Sequence, residues 1–245
     1  MDYLPKFAIV SVAAILMCFP AQAGDKALAD IVGYSQDARY FAFEEFGIQD
    51  GSGFAFSSYY IVDLKEDRWV VGTPVRIVGE EDREPLAEIR ARSAEMIRPH
   101  LENLAINLPA QSLASNGDGA PRNDGQILAF GLPLYTGPTD VIGDYTLKIS
   151  HTQVAAAAPC ADWFESEALG FALEIEDHGV AREIHNDKTL PRSRGCPMAY
   201  RISEVFAPFH ATDISHTVAL ISVFTHGFEG PDRRFLAVPL AFSSH

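Results

Sequence analysis

Positive charge is scarce in this chain. It carries 19 lysines and arginines against 33 aspartates and glutamates, a formal net charge of −14 at pH 7. So acidic a surface makes nucleic acid and anionic membranes poor partners for the molecule as a whole; the acidity serves solubility. Cysteine is rarer still, with 3 residues, and no Cys-x-x-Cys redox pair occurs. Local signatures of the common catalytic machineries are missing too: there is no Gly-x-Ser-x-Gly elbow, no His-Glu-x-x-His motif and no Gly-rich phosphate loop with Lys. Gly33-Tyr34-Ser35-Gln36-Asp37 stops one residue short of the elbow and opens a strand rather than a helix, so Ser35 reads as a turn residue. Neither disorder nor low complexity is favoured, since 47% of residues are hydrophobic, 21% are charged, and 18 glycines and 15 prolines are dispersed along the chain.

What is present begins with an export signal, Met1 to Ala23. Lys6 and the amino terminus supply the positive end, Phe7 to Phe19 the apolar run, and Ala21-Gln22-Ala23 the small-x-small cleavage site. The run is shorter than the ~20 residues a spanning helix needs, and no second stretch is long enough, so no membrane insertion is expected after cleavage. Met17 is too large for lipid processing at Cys18, which is a passenger in the signal. The mature chain, 24–245, is then expected to be a single secreted β domain in the periplasm or outside the cell. About 220 residues are ample for a core.

Two cysteines survive processing, Cys160 and Cys196. In an oxidising compartment a lone pair points to a disulfide. The bridge would close a loop of 36 steps, worth roughly 4 kcal/mol in the chain-entropy picture. The alternatives are two free thiols, or a thiol joined with His178 or His185 on a metal, which needs reduced sulfur where sulfur is oxidised.

From Ile31 to Val78, short apolar runs alternate with turn residues and predict a four-strand meander: Ile31–Tyr34, Tyr40–Phe46, Tyr59–Val62 and Trp69–Val78, with Pro74 marking a bulge or an edge. Ser35-x-Asp37-x-Arg39-Tyr40-Phe41-Ala42-Phe43, followed by Tyr59-Tyr60-Ile61-Val62-Asp63, resembles one blade of the TolB-type β-propellers. It covers about 40 residues, too few for the four blades of the smallest propeller. The whole mature chain resembles a family of predicted secreted bacterial proteins known as domain of unknown function 2259. That likeness is carried by the blade-like opening, by Arg194-Gly195-Cys196-Pro197 with Tyr200, and by Gly227-Phe228-Glu229-Gly230-Pro231-Asp232. It implies export and a compact domain, with no assigned activity.

One amphipathic helix follows the meander. Pro85 suits its first turn, Leu86, Ile89, Met96 and Ile97 oppose Glu88, Arg90, Arg92 and Glu95, and Pro99 is expected to end or kink it. Residues 112–124 read as a flexible loop and a possible internal boundary; Asn116-Gly117-Asp118-Gly119 within it lacks the later acidic ligands of a calcium loop. Seven more short strands are expected: Ile127–Phe130, Tyr145–Ser150, Phe171–Ile175, Val180–Ile184, Tyr200–Phe206, Thr217–Phe224 and Phe235–Phe242. The fold expected is mainly antiparallel β, as a sandwich or distorted barrel with a propeller-blade-like N-terminal meander and one helix.

Candidate chemistry is sparse. Asp162, Glu165 and Glu167 around Trp163 imitate a sugar-cleaving site but read more simply as a solvated loop. His210, His216 and His226 lie near the ends of adjacent predicted strands, yet their spacing specifies no metal, and neither metal nor cofactor is expected. A basic run, Lys188, Arg192 and Arg194, sits inside the proposed disulfide loop of an acidic protein and suits an anion or an acidic partner; local balancing against Glu183 and Asp187 is the alternative. An interaction or ligand-binding module, with an unknown protein or small ligand as its partner, is therefore placed first. A hydrolase-type enzyme whose site is assembled from dispersed residues and a structural envelope accessory follow it.

Overall fold

The computed structural model describes residues 24–80, 84–119 and 121–240. The expected signal, Met1 to Ala23, lies outside them, as does Phe242. In chain order the elements are β1 (Leu28–Ser35), β2 (Tyr40–Ile48), β3 (Ala55–Asp63), β4 (Arg68–Trp69), β5 (Val75–Val78), α1 (Leu86–Asn103), β6 (Ile106–Leu108), β7 (Ala110–Ser115), β8 (Ile127–Pro133) and β9 (Val141–Gln153). They continue with β10 (Ala155–Ala156), α2 (Cys160–Phe164), β11 (Leu169–Asp177), β12 (Val180–Asn186), β13 (Thr189–Leu190), β14 (Pro197–Pro208), β15 (Val218–His226) and β16 (Pro231–Pro239).

Three antiparallel sheets carry the fold. The N-terminal sheet has the order β4-β3-β2-β1-β6 with β5 also on β3, a central sheet runs β16-β15-β14-β7, and a third runs β12-β11-β9-β8. None closes into a barrel among the described residues, so of the two architectures expected the sandwich is the one formed. The central sheet is buried on both faces because its apolar residues do not alternate with polar ones. Ala219, Ile221 and Val223 point to a core shared with Leu147, Phe171 and Leu173. Their neighbours Val218 and Leu220 point the other way, to Tyr34, Phe41, Phe43 and Val62 of the N-terminal sheet.

α1 covers the outer face of the N-terminal sheet, against Ala42 and Ile61. Ile89, Ser93 and Ile97 recur every fourth residue and are its buried stripe; each isoleucine contributes about 2 kcal/mol by burial. The helix continues through Pro99 to Asn103 rather than ending there. The expected strand Trp69–Val78 is two strands, β4 and β5, separated by a turn with a cis Thr73–Pro74 bond. Ser112 to Ser115, expected in a loop, belong to β7 and pair with β14. Leu113 and Ala114 pack on the main core from there. Among the described residues no helix is long and apolar enough to cross a membrane.

The blade-like motif is a turn clamp. Ser35 Oγ donates to Asp37 (2.6 Å) and accepts the Tyr40 amide (2.9 Å), while the Arg39 guanidinium grips Asp63 across the hairpin at 2.6 Å. Ser35 is committed to the turn, as expected.

Candidate functional site

Where the N-terminal sheet meets the edge of the central sheet, a cleft of about 370 Å³ opens. Its floor is set by cross-strand register. Glu45, Ser58 and Arg76 stand in one row across β2, β3 and β5; Phe43 and Tyr60 make the next; Phe41, Val62 and Trp69 make the third. Because side chains at i and i+2 share a face, Glu45, Tyr60, Val62, Trp69 and Arg76 all line the cleft. Tyr60 stacks on Phe43 with centroids 4.9 Å apart, and Trp69 tilts against Tyr60 at 5.5 Å. The opposite wall is Arg234 to Ala237, four consecutive residues of β16, as happens where a cleft follows a strand edge rather than a sheet face.

Charge is arranged at two ends. At one, the Glu45 carboxyl accepts the Phe235 amide at 2.8 Å and lies 3.5 Å from Arg234 Nε; Arg234 also holds Asp25 at 2.7 Å. Burial pushes the Glu45 pKa up to about 7, against the opposing pull of Arg234, the Phe235 amide and Arg76. Burial, with the Glu45 charge, likewise raises the Tyr60 hydroxyl.

At the other end the disulfide loop supplies Ser193 and Arg194. Arg194, with 14% of its side chain exposed, reaches Asp187 at 3.4 Å. Asp187 also accepts from His185 Nε2 (3.0 Å) and the Phe171 amide (3.1 Å). Burial alone would raise this carboxyl, but the His185 and Phe171 hydrogen bonds and the Arg194 charge hold it below the usual range. Asp67, which also lines this end, is raised by desolvation, with His185 and Arg194 pulling it down.

Four arginines thus line the cleft, Arg68, Arg76, Arg194 and Arg234, against the carboxyls of Glu45 and Asp67. In so acidic a protein this is a local reversal of sign. Arg194 and Arg234 have carboxylate partners; Arg68 and Arg76 are exposed and make no hydrogen bond or ion pair among the described residues.

Of the basic run read from the sequence, only Arg194 reaches the cleft. Lys188 and Arg192 are exposed and do not line it. Cys160 and Cys196 are joined, with Cα atoms 5.5 Å apart, and pack with Ala158, Ala168 and Leu190 in a small core of their own. That staple holds the loop carrying Arg194. His178 lies 3.8 Å from Asp177 and His185 serves Asp187, so neither meets a sulfur.

His210 sits against Phe209 and Tyr135, and His226 stacks on Phe164 at 4.2 Å; no group of three or more metal-ligating side chains forms among the described residues. Asp162, Trp163, Glu165 and Glu167 are exposed on and after α2, away from the cleft. In the Asn116–Gly119 turn, Asn116 donates to the carbonyls of Ile127 and Ile202, and Asp118 pairs with Arg233. Sequence reasoning missed Glu45, Tyr60, Arg68, Trp69, Arg76 and Arg234. The visible trace was the Arg233-Arg234 pair; the rest is register.

The family model of a predicted secreted protein, DUF2259, matches residues 42–241. The chain belongs to that family. Every cleft-lining residue of this DUF2259 member falls inside the matched span. No curated protein and no solved structure matches the chain.

Proposed function

We propose that this protein is an exported recognition module, released near Gly24 into the periplasm or beyond, that binds an anionic ligand in the arginine cleft. The observation that carries the reading is a pair of guanidiniums, Arg68 and Arg76, with no hydrogen-bond or ion-pair partner among the described residues, beside the aromatic wall of Tyr60 and Trp69. Guanidiniums form charge-assisted forks with carboxylate or phosphate, and the volume is within the range of small-molecule sites. Calorimetric titration of the mature protein with citrate, inorganic phosphate and phenylacetate tests it. Binding should weaken with salt and fall about tenfold or more in Arg68→Ala with Arg76→Ala, as the loss of one charge-assisted bond of about 1.5 kcal/mol requires. Lys188→Ala with Arg192→Ala should leave it unchanged. Absence of binding at low salt, or binding indifferent to the double substitution, overturns the reading.

A hydrolase-type enzyme is the alternative, favoured by one observation: Glu45 and Asp67, both with raised pKa values, share the cleft. Glu45 is already engaged by Phe235 and Arg234, which places binding first. Turnover of an ester or glycoside panel, abolished by Glu45→Gln or Asp67→Asn, would reverse that order.

A further inference from the structure

The free edge of the central sheet carries a second line of information, in its backbone. β15 and β16 pair from Val218–Pro239 to His226–Pro231 without a break in register. Peptide groups along such a strand point alternately toward the partner strand and away from it. Leu240, one residue past β16, donates its amide to the Thr217 carbonyl at 2.8 Å. Even-numbered residues therefore face β15, and odd-numbered ones face outward.

Each outward position is accounted for except one. Pro231 and Pro239 have no amide proton. Arg233 donates to the Asp25 carbonyl at 2.7 Å, and Phe235 donates to the Glu45 carboxyl at 2.8 Å. Ala237 is left: its amide has no protein partner among the described residues, and it lines the arginine cleft. Its carbonyl and that of Phe235 point the same way.

The edge is open over a short length only. Asp25 to Ala27 cover it at Arg233, where Lys26 forms a parallel bridge, and the Glu45 side chain blocks it at Phe235. Past the Phe235 amide only that of Ala237, itself 5% exposed, faces outward, and from Phe235 to Ala237 the chain advances about 7 Å at ~3.3 Å per residue. A strand added here cannot run through; it has to end. Where it ends stand Arg76 and Arg234, and along the remaining cleft lie Arg68, Trp69 and Arg194.

We infer that the cleft receives the C-terminal end of an extended peptide, which pairs with the β16 edge at Ala237 and gives its terminal carboxylate to the cleft arginines. This rests on the anion-binding reading above and narrows it to a peptide. Backbone pairing supplies affinity without sequence preference, and a side chain of the peptide packs on Tyr60 and Trp69.

The test uses the mature protein and N-terminally fluorescein-labelled random hexapeptides, as free acids and as C-terminal amides, in fluorescence anisotropy. Free acids should bind about tenfold tighter than amides. Ala237→Pro, which removes the outward amide as Pro231 and Pro239 do at their own positions, should weaken peptide binding about fivefold or more. The Ala237 amide of the unaltered protein should exchange more slowly with solvent when peptide is bound, a readout that survives if Ala237→Pro does not fold. Equal binding of acids and amides, or unchanged exchange at Ala237 under saturating peptide, overturns the inference. Binding of citrate or phosphate without binding of peptides overturns it and leaves the anion reading standing; binding of neither overturns both.

Discussion

Glu44 and Glu45 follow one another on β2 and point to opposite faces of the same sheet, each with 2% of its side chain exposed. Glu44 faces α1. It accepts Arg90 through both oxygens (2.7 to 3.1 Å), the Ser57 hydroxyl at 2.7 Å and the Tyr59 hydroxyl at 3.1 Å. Arg90 lies over the Phe46 ring at 3.8 Å and also holds Asp30. Glu45 faces the cleft with one backbone donor and one looser ionic contact. Two carboxyls of equal burial therefore have different tasks. The first is saturated and joins helix to sheet, whereas the second holds the β16 edge through fewer donors, and burial pushes its pKa up to about 7. Burial alone does not distinguish structure from site; the number of donors does.

The largest effect should come from breaking the saturated side. Glu44→Ala leaves Arg90, Ser57 and Tyr59 without their shared acceptor and should cost about 3 kcal/mol or more, read as a lower urea midpoint with an unchanged slope. A loss under about 1 kcal/mol would show that the Glu44 network is no staple.

Next comes the disulfide behind the cleft. Cys160→Ser with Cys196→Ser should cost about 2–4 kcal/mol and lower Tm by several degrees. Because Arg194 is held in that loop, ligand affinity should fall too. Unchanged stability together with unchanged binding would detach the staple from the cleft.

The smallest effect sharpens the open side. The Glu45 pKa is raised in the folded protein, so its protonated form favours folding; this contribution is complete below the unfolded value near 4.5 and is lost as pH rises through about 7. Glu45→Gln should remove that slope and stabilise the protein at pH 8, by on the order of 1–2 kcal/mol, relative to its own parent. Melting curves at pH 5 and pH 8 for both proteins decide it: parallel behaviour would return Glu45 to the class of Glu44.

Much of the fold was legible because it is written locally. Tyr145-Thr146-Leu147-Lys148-Ile149 alternates, and it is the half-buried centre of β9; Ile89 and Ile97 mark the buried face of α1. Ser112-Leu113-Ala114-Ser115 did not read as strand beside the Asn/Asp/Gly run that follows, since what makes it one is the hydrogen-bonding edge of β14, far away in sequence. Pro99 did not stop α1: the helix carries on for one more turn, with Leu101 and Leu104 packed beside Ile97. The site was hidden for the same reason as β7. Arg194 stood out as part of a charge run, but Glu45 meets Arg76 only through Ser58, and Arg234 matters because, among the described residues, no named strand pairs with β16 beyond β15.

The strap from Asp25 to Ala27 has a consequence for how copies of this chain meet one another. An uncovered edge strand is a template on which a second molecule can grow a shared sheet. Here prolines close both ends of β16, the strap occupies its lower half, and the buried Glu45 carboxylate takes the next amide. What is left is too short to seed a continuous intermolecular sheet, so resistance to clumping at high concentration is built in by the first few residues after Gly24.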